Sequence, residues 1–160
     1  MNNELHARSE SQSEYFKQYY QDNKEDILER VRTTQKNRYD NDLEHKLIKR
    51  YQSRVNNFFP EEHRNINAEG TLGCSSNFFK MWITYCLKGN LNLDNIDLHH
   101  VRPLNTFPFE TDDLMNAFHW TNVRPILHEI NIQQKDKRDY ADEHKQKDRV
   151  IKFLRTIYLK

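Results

Sequence analysis

The chain has 160 residues, of which 36% are hydrophobic and 31% charged, and its formal net charge is +1. A chain of this length predicts one domain with an extension rather than several domains. No stretch approaches the roughly 20 apolar residues of a membrane span, and the polar first residues lack the apolar core of a signal peptide. We therefore expect an intracellular protein of the cytoplasm or nucleus that is neither secreted nor inserted in a membrane.

The first third of the chain predicts two or three helices. Neither Gly nor Pro interrupts residues 13–55, and Asp22 with Asn23 has the composition of a cap that opens a second helix. Farther along, large apolar residues recur every four positions, as in an amphipathic helix. These residues are Tyr39, Leu43, Leu47, Tyr51 and Val55. Their apolar face either packs against the rest of the chain or mediates a homodimer, and residues 1–68 are predicted to form an N-terminal helical extension.

A second apolar stripe predicts a helix in the middle of the chain. After a polar connection from Glu61 to Gly73, Ser75 and Ser76 offer an N-cap, and aromatic and aliphatic residues follow at helical spacing. Gly89 is placed where a glycine commonly ends a helix. The stripe predicts core packing rather than a cofactor site.

The C-terminal part alternates short apolar runs with helical patterns. Two runs, at 98–104 and 123–127, each contain Val-Arg-Pro, and the loop between them includes a predicted short helix from Leu114 to Phe118. From Glu129 to Tyr158 the pattern is helical again. We therefore predict the order helix, strand, long loop, strand and helix.

Two adjacent histidines, His99 and His100, carry the strongest chemical signal. Neighbouring side chains on a strand point to opposite faces, so that one imidazole can hold a metal ion while the other has a different task. Because an imidazole accepts a proton near neutral pH, one of the two can activate water. The amides of Asn122 and Asn131 can bind a hard cation or fix the orientation of an imidazole. The predicted path of the chain can bring these segments together.

Four segments occur in a specific order along residues 70–140. They are LGCS at 72–75, DLHHVRPL at 97–104, FHWTNVRPI at 118–126, and EIN at 129–131 followed by Lys137. In order and spacing they resemble the segments L-G-C-S, H-I-D-H-I-I-P-L, F-H-Y-T-N-L-Q-P-L and D-N-L-S-K-x-N-K of the HNH endonucleases, particularly the small forms of phages and large DNA viruses.

This resemblance implies a mostly helical α+β fold. Its centre would be a ββα-metal core, made of a two-stranded β-hairpin and a helix, within a nuclease domain over residues 69–160. The N-terminal helices would precede that domain. The resemblance also places the protein inside a virus-infected cell.

The implied activity is metal-dependent hydrolysis of DNA phosphodiester bonds, as a nick or a double-strand cut. By position, His100 would be the general base, and Asn122 would hold the loop or the base in place. His99 and Asn131 would be ligands of one divalent ion, Mg²⁺ or Mn²⁺. Since an imidazole stands where the family usually has Asp, we expect the ion preference to move toward Mn²⁺, Ni²⁺ or Zn²⁺.

Basic residues near these positions are candidates for phosphate contacts with double-stranded DNA. Residues 133–160 carry nine Lys and Arg against five acidic residues. Arg102 and Arg124 either reach phosphates or face solvent. The full set of candidates is Arg102, Arg124, Lys135, Lys137 and Arg138. The missing Asp at the metal position leaves an alternative open, an inactive HNH-derived protein that binds nucleic acid or has a structural role.

Overall fold

The computed structural model describes residues 2–59, 67–87, 91–108, 111–134 and 137–159, with side chains in these ranges except at 2–11 and 111–114. Contacts divide the chain into two compact units, one up to Asp42 and the other from Leu43 onward. The predicted end of a helix at Gly89 and the predicted DNA contact Lys135 lie outside the described residues.

The first unit consists of two helices, α1 (Asn2–Asp22) and α2 (Lys24–Asn41). The predicted break at Asn23 is confirmed, although the Asn23 side chain does not cap α2. Its amide nitrogen instead donates to the carbonyl of Tyr19 at 2.8 Å. None of the residues from 12 to 41 is buried.

The second unit begins with α3 (Leu43–Phe58), whose apolar face is part of the core. Leu47, Tyr51 and Val55 are at most 1% exposed. These three side chains therefore pack within the chain, and a homodimer through the N-terminal helices stays a prediction. The boundary predicted after residue 68 stays a prediction, but α3 packs on the helices that follow it.

The predicted amphipathic helix from Tyr39 to Val55 is interrupted. Tyr39 belongs to α2, which ends at Asn41, and Asp42 has an extended backbone. The Asn41 amide donates to the carbonyl of Asn37 at 2.8 Å. Short polar side chains of this kind compete for backbone hydrogen bonds and weaken a helix, and two of them lie next to each other here.

Two helices, α4 (Ala68–Leu72) and α5 (Ser76–Cys86), follow in the second unit. The predicted N-cap of α5 is confirmed, since the Ser75 hydroxyl accepts a hydrogen bond from the backbone N–H of Phe78 at 3.3 Å. Helix α4 was not predicted. It lies in the polar connection, where Asn67 caps it and Gly73 ends it with a φ of 67°.

The sheet has two antiparallel strands, β1 (Ile96–His100) and β2 (Val123–Leu127). In its register His99 lies opposite Arg124, and His100 lies opposite Val123. This confirms the predicted α+β class and the two strands. Strand β1 begins before the predicted run and ends before Pro103, whose nitrogen cannot donate to a ladder.

Short helical segments connect the strands. Two 3-10 turns, Leu104–Thr106 and Trp120–Asn122, flank α6 (Thr111–Phe118), which begins before the predicted Leu114. The Trp82 indole of α5 donates to the carbonyl of Val123 at 2.6 Å. This bond fixes the start of β2 against the core.

The predicted helical stretch from Glu129 to Tyr158 is two helices, α7 (His128–Gln134) and α8 (Tyr140–Tyr158). Asp139 begins α8 by accepting hydrogen bonds from the N–H groups of Ala141 and Asp142, which is why a new helix starts there. The Phe153 ring of α8 packs in the aromatic core. Within the described ranges no helix is both long and apolar enough to cross a membrane.

Candidate functional site

A cleft of about 460 Å³ lies where α3, the end of β1 and α7 meet. Its lining residues are neutral except for one arginine, and no described acidic side chain lines it. The polar side chains of the cleft are Arg54, Asn57, His99, His100 and Asn131. Three of the four predicted metal and catalytic residues therefore border one cavity, and Asn122 does not.

His100 is the most buried polar group of the cleft. It is 8% exposed, and its ring packs edge-on against Phe118 at 5.3 Å between centroids. Burial, followed by the positive charge of Arg54, lowers the pKa of His100 to about 3. The imidazole is therefore neutral at pH 7 and able to accept a proton.

One ring nitrogen of His100, Nε2, is buried and has no hydrogen-bond partner among the described residues. Leaving a buried polar atom unpaired costs about 1–3 kcal/mol relative to a satisfied one. A partner for this nitrogen would have to come from a water molecule or a ligand.

His99 and Asn131 are joined through one ring nitrogen. The distance between His99 Nδ1 and Asn131 Oδ1 is 3.0 Å. The Asn131 amide nitrogen donates to Asp97 Oδ2 at 2.9 Å, and His128 Nδ1 lies 2.8 Å from the same carboxylate oxygen. Because Asp97 accepts only, it turns the amide nitrogen of Asn131 toward itself and the amide oxygen toward His99.

The charges around this group keep Asp97 ionised. Burial opposes ionisation, but hydrogen bonds from Asn131 and His128, together with positive charge from His128 and Arg54, outweigh it and lower the pKa of Asp97. Burial lowers the pKa of His99, although its contact with Asn131 acts in the opposite direction. Asp97 is therefore an anion, and the neighbouring side chains of His99 and Asn131 are neutral.

The 3.0 Å separation of His99 Nδ1 and Asn131 Oδ1 is that of a hydrogen bond, in which the ring N–H donates because the amide oxygen only accepts. The two atoms could be ligands of one divalent ion only once His99 Nδ1 has lost that proton, since a metal-bound imidazole nitrogen carries none. Among the described residues no three His, Cys, Asp or Glu side chains form a metal-binding group. Any ion here would take its other ligands from water and a bound phosphate, as Mg²⁺ often does. An imidazole ligand is better suited to a transition metal.

Asn122 holds the backbone behind the cleft. Its side-chain oxygen accepts from the N–H of Arg102 at 2.8 Å, and its amide nitrogen donates to the carbonyls of Arg102 at 3.0 Å and Ala117 at 2.8 Å. These bonds tie the turn after β1 to the end of α6. Of the two roles predicted for Asn122, its geometry fits holding the loop.

The predicted DNA contacts have different surroundings. Arg102 donates to Thr106 and lies 3.8 Å above the ring of Phe107, and Arg124 pairs with Asp142. Both guanidinium groups are thus engaged within the chain. Lys137 and Arg138 line a second cavity of about 570 Å³, and His99 also lines it.

Three residues at the site were not assigned a role from sequence. Arg54 lies on a helix far upstream of the histidine pair, and no local pattern links the two. Asp97 was visible only as a departure from the H-I-D-H pattern, and His128 lies just before the segment that carries Asn131. A spacing of 31 residues between Asp97 and His128 gives no signal unless the strand pairing is known.

Two proteins of Acanthamoeba polyphaga mimivirus are similar to the chain over most of its length. Uncharacterized protein L246 is 30% identical over 140 residues, which cover 84% of this chain and 62% of that protein. Uncharacterized protein L426 is 28% identical over 137 residues, which cover 82% and 60% respectively. The chain therefore spans about three fifths of the length of each relative. No family model and no solved structure matches it.

Proposed function

We propose that the protein is a metal-dependent endonuclease of the HNH type that hydrolyses DNA phosphodiester bonds in the cleft between α3, β1 and α7. The observation that carries this proposal is the convergence of His99, His100 and Asn131 on one cavity. His99 and His100 lie on β1 and Asn131 lies on α7, with β2 between them in the chain, which is the order that the resemblance to HNH endonucleases implies.

In this proposal His100 is the general base. Its neutral imidazole takes a proton from the attacking water, whose oxygen forms a new bond to phosphorus while the bond to the leaving sugar oxygen breaks. The leaving oxygen takes a proton from solvent. The low pKa of His100 keeps the base unprotonated, and the negative phosphate favours its protonated form once substrate is bound.

His99 and Asn131 would hold one divalent ion, Mg²⁺ or Mn²⁺, with Ni²⁺ and Zn²⁺ as further candidates. A bound ion of this kind neutralises charge on the phosphate and on the leaving oxygen. Asp97 fixes the rotation of the Asn131 amide, and the contacts of Asn122 hold the turn after β1. Both act as positioning residues.

Double-stranded DNA is the proposed partner because cations lie beside the cleft. Lys137 and Arg138 line the second cavity, and His99 lines both this cavity and the cleft. A phosphate backbone that passes from one cavity to the other would meet both residues. Arg138 also forms an ion pair with Glu143. We therefore expect Lys137 to contribute more than Arg138 to phosphate binding.

The viral relatives support a place of action inside an infected cell. A homodimer through the N-terminal helices is proposed only for α1, where exposed aromatic side chains include Tyr15, Phe16 and Tyr19. Exposed aromatic groups of this size are typical of contact surfaces.

Cleavage of supercoiled plasmid tests the proposal. The wild-type chain, His100→Ala and His144→Ala are compared with Mg²⁺, Mn²⁺, Ni²⁺, Zn²⁺ and EDTA, His144 being an exposed histidine on α8. We expect metal-dependent nicking that His100→Ala loses and His144→Ala keeps. DNA binding without cleavage by the folded wild type would favour the inactive nucleic-acid-binding alternative, and equal cleavage by wild type and His100→Ala would contradict the assigned base.

A further inference from the structure

Helix α3 carries two arginines one turn apart, and their surroundings differ. Arg50 donates to the backbone carbonyls of Leu93 and Ile96, and it lies 3.9 Å from Asp97. These contacts attach α3 to the start of β1. Arg54 lines the cleft, and its guanidinium has no hydrogen bond or ion pair with any described residue.

The free guanidinium of Arg54 lies in a costly position. It is half-buried, and burial lowers its pKa, while the negative charge of Asp97 raises it. Arginine stays charged at any physiological pH. Because the side chain is half-buried, this charge is only partly hydrated. A cation that is removed from water without a partner is unfavourable unless a ligand supplies the missing acceptors.

The remaining lining of the cleft favours an anion as that ligand. Arg54 is its charged member, Asn57 and Asn131 are amides, and no described acidic side chain lines it. The contacts of Arg50 fix the part of α3 that carries Arg54, and both Arg54 and His100 line the cleft. A positive group at this place suits a bound oxyanion.

We infer that Arg54 binds the phosphate that is cleaved, as a phosphate-binding residue supplied by α3 from outside the segment 70–140. This inference rests on the proposed function and extends it to the substrate contact. A guanidinium offers two parallel N–H groups to two phosphate oxygens, which a lysine cannot do. It would stabilise the charge that develops on the phosphate as the water attacks.

Four full-length proteins test this assignment: wild type, Arg54→Gln, Arg54→Lys and Lys49→Gln. Lys49 is an exposed cation on the same helix and serves as the matched control. Single-turnover cleavage of a 20-base-pair duplex is measured at saturating DNA with Mn²⁺. Affinity for the same duplex is measured in EDTA, and thermal unfolding is recorded for each protein.

We expect Arg54→Gln to cleave about 10²- to 10³-fold more slowly at saturating DNA, as for loss of one transition-state donor. Arg54→Lys should recover only part of this rate, and Lys49→Gln should stay within about twofold of wild type, since it leaves the cleft unchanged. The midpoint of thermal unfolding of Arg54→Gln should equal or exceed that of wild type, because the guanidinium lacks a partner in the fold.

Cleavage by Arg54→Gln at the wild-type rate would overturn the assignment and leave the proposed nuclease intact. A lower unfolding midpoint for Arg54→Gln would overturn it as well, because it would show a structural role. If wild type itself does not cleave, the proposed function fails. The affinity measurement then decides about Arg54: weaker duplex binding by Arg54→Gln than by Lys49→Gln supports a phosphate subsite, and equal binding overturns it.

Discussion

Asp97 determines which atom of the Asn131 side chain faces His99. The carboxylate can only accept hydrogen bonds, and it accepts one from the Asn131 amide nitrogen and one from His128. The amide oxygen of Asn131 is therefore 3.0 Å from His99 Nδ1. Groups that orient metal ligands in this way commonly contribute 10- to 100-fold to metal affinity.

Asp97→Ala should weaken Mn²⁺ binding by about 10- to 100-fold, because the Asn131 amide loses the contact that fixes its rotation. Titration calorimetry of Mn²⁺ measures the affinity. His128→Ala is the matched control, since it removes the other hydrogen bond to Asp97 and leaves Asn131 in place; its affinity should change by less than about threefold. Unchanged affinity in Asp97→Ala would show that Asn131 is oriented by other contacts or binds no metal.

At this scale the sequence predicts the residues that lie in continuous local segments. His99 and His100 lie in one strand, and Asn131 follows the partner strand, so that pairing of the two strands is enough to bring them together. Arg54 could not be predicted in the same way. Its place in the cleft depends on how α3 packs on the sheet, which is a long-range contact without a local signature.

At the scale of elements, the segment LGCS at 72–75 joins two helices. Gly73 ends α4 with a φ of 67°, and Ser75 caps α5. A Cβ atom added at Gly73 would lie 2.5 Å from Cδ2 of His119. The glycine is therefore required both for its backbone conformation and for the approach of the His119 ring.

Gly73→Ala should destabilise the fold by about 2 to 4 kcal/mol, since left-handed strain and a steric clash add up. Gly70→Ala is the control: Gly70 lies within α4, and a Cβ there meets nothing within 4 Å. It should stabilise the helix by up to about 1 kcal/mol. Urea unfolding measures the stability of both variants. The double variant Gly73→Ala/His119→Ala lacks the imidazole ring and should regain the part of the stability that the steric clash removes. Equal midpoints for the two single variants would contradict this account.

Polar residues in the sequence predict two of the element boundaries. Ser75 begins α5 as its position predicts, and the break at Asn23 was also expected. The helix α4 and the division between α7 and α8 were not predicted. The five residues of α4 are too few for a periodic pattern. Asp139 lies in a polar stretch, where the sequence does not distinguish a capping residue from a polar residue on the surface of a continuous helix.

At the scale of the whole molecule, the two units differ in burial. None of residues 12–41 is buried, whereas α3 contributes Leu47, Tyr51 and Val55 to the core of the second unit. A fold of this size is stabilised by about 5–15 kcal/mol in total, and truncation of one large core side chain typically costs 2–5 kcal/mol. Loss of all of α3 therefore exceeds what the second unit can tolerate.

A chain that begins at Leu43 should unfold cooperatively, and a chain that begins at residue 69, the predicted domain boundary, should not. Urea unfolding followed by circular dichroism compares the two with the full chain. The first deletion removes no buried side chain that the structure describes, while the second removes four, Leu47, Tyr51, Val55 and Ala68. Cooperative unfolding of residues 69–160 with the stability of residues 43–160 would show that α3 is dispensable.

The central claim is that His100 is the base of a nuclease site, and chemical rescue tests it most directly. Single-turnover cleavage of a DNA duplex is measured for wild type and His100→Ala with Mn²⁺, with and without added imidazole. Loss of the base should slow cleavage by about 10²- to 10⁴-fold, and imidazole, which fits a cleft of about 460 Å³, should restore part of the rate in the variant alone. Cleavage by His100→Ala at the wild-type rate would contradict the account.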